Sequence, residues 1–220
     1  MEKEKKVREA LSLERALMER LSQSEIRNWL KKYAMPYQEL MSCYRCALME
    51  AETKFNVLDE ELSLRYDRNP IESIMDKAVR KGIPLTVESI EENLRDIAGL
   101  RVICAFPSDI YMMADALLRQ DDVTLIERKD YIQNPKDNGY RSLHLIIEIP
   151  IFLHNQTRRM KVEVQLRTIA MDWWASLEHK IRYKKNLTDD EAIFAELREC
   201  AETSAMLDQR MQSIHEKAGD

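Results

Sequence analysis

Met160-Lys161-Val162-Glu163-Val164-Gln165-Leu166-Arg167 alternates apolar and polar side chains without a break. A period of two places Met160, Val162, Val164 and Leu166 on one face of a strand and Lys161, Glu163, Gln165 and Arg167 on the other. Upstream, Leu143, Leu145, Ile147 and Ile149 supply a matching apolar face, with Ser142, His144, Ile146 and Glu148 opposite. One sheet face is therefore expected to seal a core while the other presents His144, Glu163, Gln165 and Arg167. Alternation alone describes any half-solvated sheet. This set, however, can exchange hydrogen bonds and move protons.

Residues 100–106 and 123–129 are further β-rich runs, separated by a helical stretch at 111–119. Before them, residues 36–66 carry apolar side chains every three or four positions, from Tyr37 through Phe55 to Leu62, with Pro36 near the first turn. That stripe predicts a long amphipathic helix. A shorter stripe (Val7, Leu11, Leu17, Met18, Leu21) precedes it, and Ser24 offers a cap for a helix through Trp29. Helical spacing resumes over 71–81, between Asn69-Pro70 and Gly82-Ile83-Pro84. It returns after Thr168 in Ala170, Trp173, Leu177 and Ile181, and again over 193–217. The order predicts an α+β fold, a small mixed β-sheet flanked by long N- and C-terminal helices. A single domain over 1–220 is expected, with N-terminal helices at 1–66, a core at 67–185 and a C-terminal helix at 186–220.

Of the 220 residues, 34 are basic and 39 acidic, for a net charge of −5. That balance argues against a binder of duplex nucleic acid, which needs a basic surface. There are four glycines, Gly82, Gly99, Gly139 and Gly219, and no pair has the spacing of a P-loop or a dinucleotide-binding turn. Phosphates must then be met by side chains. The charged N-terminus is unlike a signal peptide, and no apolar run approaches the ~18 residues of a membrane span; a cytoplasmic location is expected, without a membrane partner. Cys43 and Cys46 form a C-x-x-C, yet no second pair or H-x-x-x-H accompanies it. Helical core cysteines are expected there rather than zinc ligands.

The segment from Lys129 to His144 contains Asn134-Pro135 and Asn138-Gly139, both turn signals. It also interleaves Tyr131 and Tyr140 with Lys129, Lys136 and Arg141. Rings stack on bases and cations neutralise phosphates, so the loop suits a purine nucleotide. Asp96 stands just before a strand and Arg101 within it. A carboxylate there and Glu163 nearby have the chemistry to share Mg²⁺, the usual companion of a triphosphate. Ion pairing of Asp96 with Arg101 is the plainer alternative.

Asp96-Ile-Ala-Gly-Leu-Arg-Val102, the stretch from Tyr131 to His144, Val162-Glu-Val-Gln-Leu-Arg-Thr168 and Met171-Asp-Trp-Trp-Ala-Ser-Leu-Glu-His-Lys180 together resemble the RelA/SpoT-type (p)ppGpp synthetases. The resemblance is to their single-domain small alarmone synthetases, nearer the RelP-like than the RelQ-like branch, and it implies a nucleotidyltransferase-like synthetase fold. It implies transfer of the β,γ-pyrophosphate of ATP to the 3′-OH of GDP or GTP, releasing AMP, in the stringent response. It implies Mg²⁺ as cofactor and a homotetramer. By resemblance Asp96 and Glu163 hold the metal, and Glu163 is the general base for the 3′-hydroxyl. Arg101, Lys77 and Arg80 would bind ATP. Tyr140 would stack on guanine, Lys129, Lys136 and His144 would hold the acceptor's phosphates, and Asn138 and Gln165 would shape that side.

One departure stands out. The family carries a basic Arg-x-Lys-Ser-Pro-type stretch ahead of the Glu-Ser-Ile helix, whereas here Arg68-Asn-Pro-Ile-Glu-Ser-Ile-Met75 runs straight into it. Either the chain lacks that stretch or a mobile loop falls outside the numbered residues; the intact downstream motifs favour the second. No histidine precedes an aspartate, so the His-Asp pair of the family's hydrolase domain is missing and synthesis without hydrolysis is expected. The alternative is a catalytically impaired guanine-nucleotide or RNA-binding regulator on the same fold.

Overall fold

A computed structural model describes residues 32, 34–59, 62–68, 71–185 and 191–219; the stripe at 7–21 and the cap at Ser24 lie outside them. The chain divides into two compact units, Met1–Ser42 and Cys43–Asp220, and the sheet belongs entirely to the second. Helix α1 (Met35–Leu58) buries Cys43, Tyr44, Ala47, Leu48, Ala51 and Phe55, the three-and-four spacing of a helix that packs on one side. Cys46 is exposed, so Cys43 alone behaves as a core cysteine of the C-x-x-C.

The helix stops at Leu58 instead of running to Tyr66, and Ser63–Arg68 form strand β1. Here half-buried Leu62 and Leu64 alternate with exposed Ser63 and Arg65. That signal of period two is too short to stand out from the helical stripe before it, and antiparallel pairing to the next strand secures it. Helix α2 (Ile71–Lys81) begins two residues later. The chain is continuous from Arg68 to Ile71. The basic stretch is therefore absent from the sequence, contrary to the expectation of an omitted loop.

Helix α3 (Val87–Asn93), not anticipated from periodicity, is capped by Thr86, whose side chain accepts from the Ser89 amide at 3.2 Å. Strand β2 spans Ala98–Cys104 and helix α4 Pro107–Leu118. The helix starts ahead of the expected Tyr111 because Pro107 suits its first turn. The Asp109 carboxylate also takes the Phe106 amide at 2.9 Å. Then come β3 (Thr124–Asp130), β4 (Leu143–Phe152), β5 (Thr157–Thr168), α5 (Ile169–Lys185) and α6 (Glu191–Ala218).

The strands lie in the order β1-β2-β5-β4-β3. β2 and β5 are parallel and the other pairs antiparallel, the mixed sheet of the α+β expectation. Its register sorts side chains into rows. Leu100, Val164 and Leu145 are neighbours across three strands, as are Val102, Leu166 and Leu143, and all six are fully buried. Each such side chain stabilises the fold by about 1.5–3 kcal/mol. Helix α4 lies against β2 and β5 and buries Ile110, Met113, Ala114 and Leu117. On the other face, Arg65, Arg101, Gln165, His144 and Lys129 form one row across all five strands. None of the described helices is long and apolar enough to cross a membrane.

Candidate active site

Next to that row, Gly99 pairs with Glu163, so a residue without a side chain leaves room beside the carboxylate. Over this face opens a cavity of about 1080 Å³. Lys77 and Arg80 reach it from α2, Asp96 from the approach to β2, Arg101 from β2, and Glu163, Gln165 and Arg167 from β5. Tyr140 closes the side next to the loop between β3 and β4, and Glu178, His179 and Lys180 project from α5. Seven of the eleven expected site residues thus share one wall. Lys129, Lys136, Asn138 and His144 do not line it.

Glu163 is held from both sides. His144 Nδ1 stands 3.1 Å from its Oε1, and Gln165 Nε2 donates to Oε2 at 2.9 Å. An ionised carboxylate only accepts, so Nδ1 carries the proton; in the neutral ring Nε2 then accepts from the Tyr140 hydroxyl at 2.7 Å. Arg167 donates through NH2 to that hydroxyl at 2.6 Å and to Gln165 Oε1 at 2.8 Å. Tyr140, His144, Glu163, Gln165 and Arg167 therefore form a closed ring of hydrogen bonds. Burial raises the Glu163 pKa, but hydrogen bonds from His144 and Gln165, with the charge of Lys77, outweigh it and hold the carboxyl below its usual value. Each carboxylate oxygen retains acceptor capacity for a further proton. For Tyr140 burial dominates, and despite Arg167 the phenol is pushed up and stays protonated.

Asp96 pairs with the Lys77 ammonium. Arg101 approaches Asp172, its NH1 standing 3.4 Å from Oδ1. Lys136 sits over the rings of Tyr131 (4.5 Å) and Tyr140 (4.7 Å), and Arg167 lies 5.1 Å from the Tyr140 centroid. Asn138 braces the turn: its Oδ1 accepts from the Tyr140 amide at 3.1 Å and its Nδ2 donates to Glu178 at 3.2 Å. Lys129 pairs with Glu127 at 3.1 Å on the row beside His144. Two residues without an assigned role emerge, Arg167 and Asp172, both about 5% exposed. Arg167 was legible as a polar residue on the open face. Asp172 lies in the Met171–Lys180 motif, but no period or spacing within that stretch gives it a role.

Carboxylates, cations and a stackable ring around one cavity are the parts of a site that binds nucleotides and moves a proton. Residues 68–188 match the family model described as a region found in RelA / SpoT proteins. The chain is 44% identical over 195 residues to GTP pyrophosphokinase YwaC of Bacillus subtilis (strain 168), covering 84% of this chain and 93% of that protein. The crystal structure of small alarmone synthetase 2 from Bacillus subtilis superposes with a TM-score of 0.75 at 43% identity, over 82% of this chain and 98% of that one. Small alarmone synthetase 1 from the same organism, bound to its product pppGpp, gives 0.72 at 33% identity, over 86% and 96%. The chain belongs to the RelA/SpoT family, among its small alarmone synthetases.

Proposed function

We infer that the protein is a GTP pyrophosphokinase that transfers the β,γ-pyrophosphate of ATP to the ribose 3′-hydroxyl of GDP or GTP, yielding (p)ppGpp and AMP. The observation that carries this reading is the convergence of Asp96 and Glu163 on one cavity with Lys77, Arg80, Arg101 and Tyr140. Two polyanions must approach each other in this reaction, and cations offset their repulsion. Lys77, Arg80 and Arg101 take the ATP side. Tyr140 presents its ring to guanine, which stacks where Lys136 now lies and leaves that ammonium for the acceptor's phosphates. Asn138 keeps the turn in shape, Gln165 and His144 orient Glu163, and Lys129 adds positive charge at the end of the row. This assigns His144 to Glu163 first and to phosphate second.

Glu163, ionised at neutral pH and aimed at the cavity, takes the proton of the 3′-hydroxyl as general base. Asp96 and Glu163 fit Mg²⁺ in donor chemistry, since that ion takes one or two protein carboxylates and completes its shell with phosphate oxygens and water. Bound there, Mg²⁺ would offset phosphate charge. Lys77, which now occupies Asp96, is then available to the phosphates. The acid and base residues argue against a pure binding protein.

Mixing the protein with ATP, GTP and Mg²⁺ should release AMP and a 3′-pyrophosphorylated guanosine nucleotide, separable by thin-layer chromatography. Guanine-nucleotide binding without AMP under any metal condition would favour the regulator instead. We further propose a cytoplasmic homotetramer. Exposed Ile169, Trp173, Leu177 and Ile181, four residues apart on α5, with Leu207, Met211 and Ile214 on α6, supply apolar surface for self-association; light scattering on the intact protein checks it.

A further inference from the structure

Asp172 stands in the first turn of α5 and is 5% exposed. Three guanidinium groups from three neighbouring strands reach it. Arg65 of β1 donates to Oδ2 at 3.0 Å and Arg167 of β5 to Oδ1 at 3.2 Å, while Arg101 of β2 stands 3.4 Å from Oδ1. Arg65 and Arg101 are direct cross-strand neighbours, so two like charges lie side by side with a third close by. One carboxylate faces three cations here, and it is the acid that all three share. Arg167 is itself about 5% exposed, and its Nε finds no acceptor among the described residues. A buried guanidinium of this kind depends on the partners it has.

The two ends of this cluster lead to different parts of the cavity. Arg101 lines the side read as the ATP site. Arg167 carries the contact to the other side, through the Tyr140 hydroxyl at 2.6 Å and Gln165 at 2.8 Å. Asp172 does not line the cavity. We propose that Asp172 is a positioning residue that sets the ATP-side Arg101 and the acceptor-side Arg167–Tyr140 pair in one geometry, so that removing its charge disturbs both nucleotide sites at once. The assignment of the two sides rests on the function proposed above.

Three charges that share one carboxylate do not relax independently when it is lost. When Asp172 loses its charge, Arg101 and Arg167 repel across the strand pair, and Arg101, with its side chain 18% exposed, shifts away from its place at the cavity wall. Arg167 must seek another acceptor, which pulls on Tyr140. Arg65, with its side chain 58% exposed, can solvate and adds little strain.

The test is calorimetric titration of the full-length protein with Mg²⁺ and either a non-hydrolysable ATP analogue or GDP. Wild type, Asp172→Asn, Arg101→Ala and the double variant Asp172→Asn/Arg167→Gln are compared, with a thermal melt of each. Asp172→Asn should weaken both nucleotides about ten- to hundredfold, as loss of an orienting partner does at metal sites. Arg101→Ala should weaken the ATP analogue alone. A folded Asp172→Asn protein that binds both nucleotides within about twofold of wild type, or loses only one, overturns the proposal. If Asp172→Asn does not fold, the double variant decides, since it also removes the uncompensated buried cation. ATP-analogue affinity near wild type in that variant overturns the proposal, and a tenfold loss supports it. Wild-type AMP formation is followed separately, so a failure of the reaction assignment is distinguishable from a failure of Asp172.

Discussion

Gly139 ends the turn that carries Tyr140, and replacing it with alanine tests how tightly that turn is pinned to α6. Its φ is +88°, in the left-handed region where a Cβ costs roughly 1–2 kcal/mol. A Cβ built there would stand 2.5 Å from the Ala201 Cβ, far inside the ~3.5–4.0 Å of a normal carbon contact. Overpacking of this sort costs about 1–3 kcal/mol. The sum is about 2–5 kcal/mol, equivalent to roughly 4–20 °C in Tm for a chain of this size. The helix does not yield easily, because Trp174 Nε1 donates to the Leu197 carbonyl at 2.8 Å and Ser204 to the Ala170 carbonyl at 3.2 Å. The turn should move instead, taking Asn138 and Tyr140 with it, so GDP affinity falls together with Tm. Ala201→Gly removes the overlap at its own helix cost of about 1 kcal/mol and leaves the backbone strain. Thermal melts and GDP titrations of Gly139→Ala, Ala201→Gly and the double variant should therefore show a favourable coupling of about 1–3 kcal/mol. A Gly139→Ala protein that melts and binds like wild type, or strictly additive effects, would refute the close approach.

Glu163→Gln should lower kcat by about 10²–10⁴ while both nucleotides still bind; full turnover would end the base assignment. Because the folded Glu163 pKa lies below its unfolded value, its stabilising contribution is complete above the unfolded value and is lost as pH falls through the folded one. The acid limb of kcat assigned to Glu163 should accordingly lie below pH ~4.5. Tyr140→Ala should weaken GDP by about 1–3 kcal/mol, and Tyr140→Phe, which keeps the ring but not the hydroxyl, by less; an unchanged acceptor affinity in Tyr140→Ala would remove the stacking role. Asp208, raised by burial against its bonds to Thr168 and the charge of Arg141, is disfavoured in its ionised form on folding. Asp208→Asn should then raise Tm at pH 7, with the gain shrinking as pH falls toward 4, and a lower Tm at every pH would contradict this.

Much of the polar sheet face was legible because it is written in adjacent residues. The alternation in β4 and β5 separates Leu145 and Val164 from His144, Glu163 and Gln165 with no knowledge of the partner strand. The change from helical to extended period at Gly99 likewise locates Asp96 at the mouth of a strand. β1 escaped because Leu58, Leu62 and Tyr66, four residues apart, continue the apolar spacing of α1 closely enough to read as its last turns. Only pairing with β2 separates the two readings. Helix α3 escaped because its seven residues bury only Ile90 and show too little periodicity.

By itself, then, the sequence determined the α+β class, the polar face, the two carboxylates and, through their motifs, the family. Tertiary structure decided which charges meet. It gave Lys77 to Asp96, His144 to Glu163, and three arginines to Asp172. It also set Gly139 against Ala201. The reason is one of distance along the chain. A period of two or of three to four residues is a property of neighbours, whereas an ion pair between Arg65 and Asp172, 107 residues apart, exists only once register and helix packing have brought the strands together.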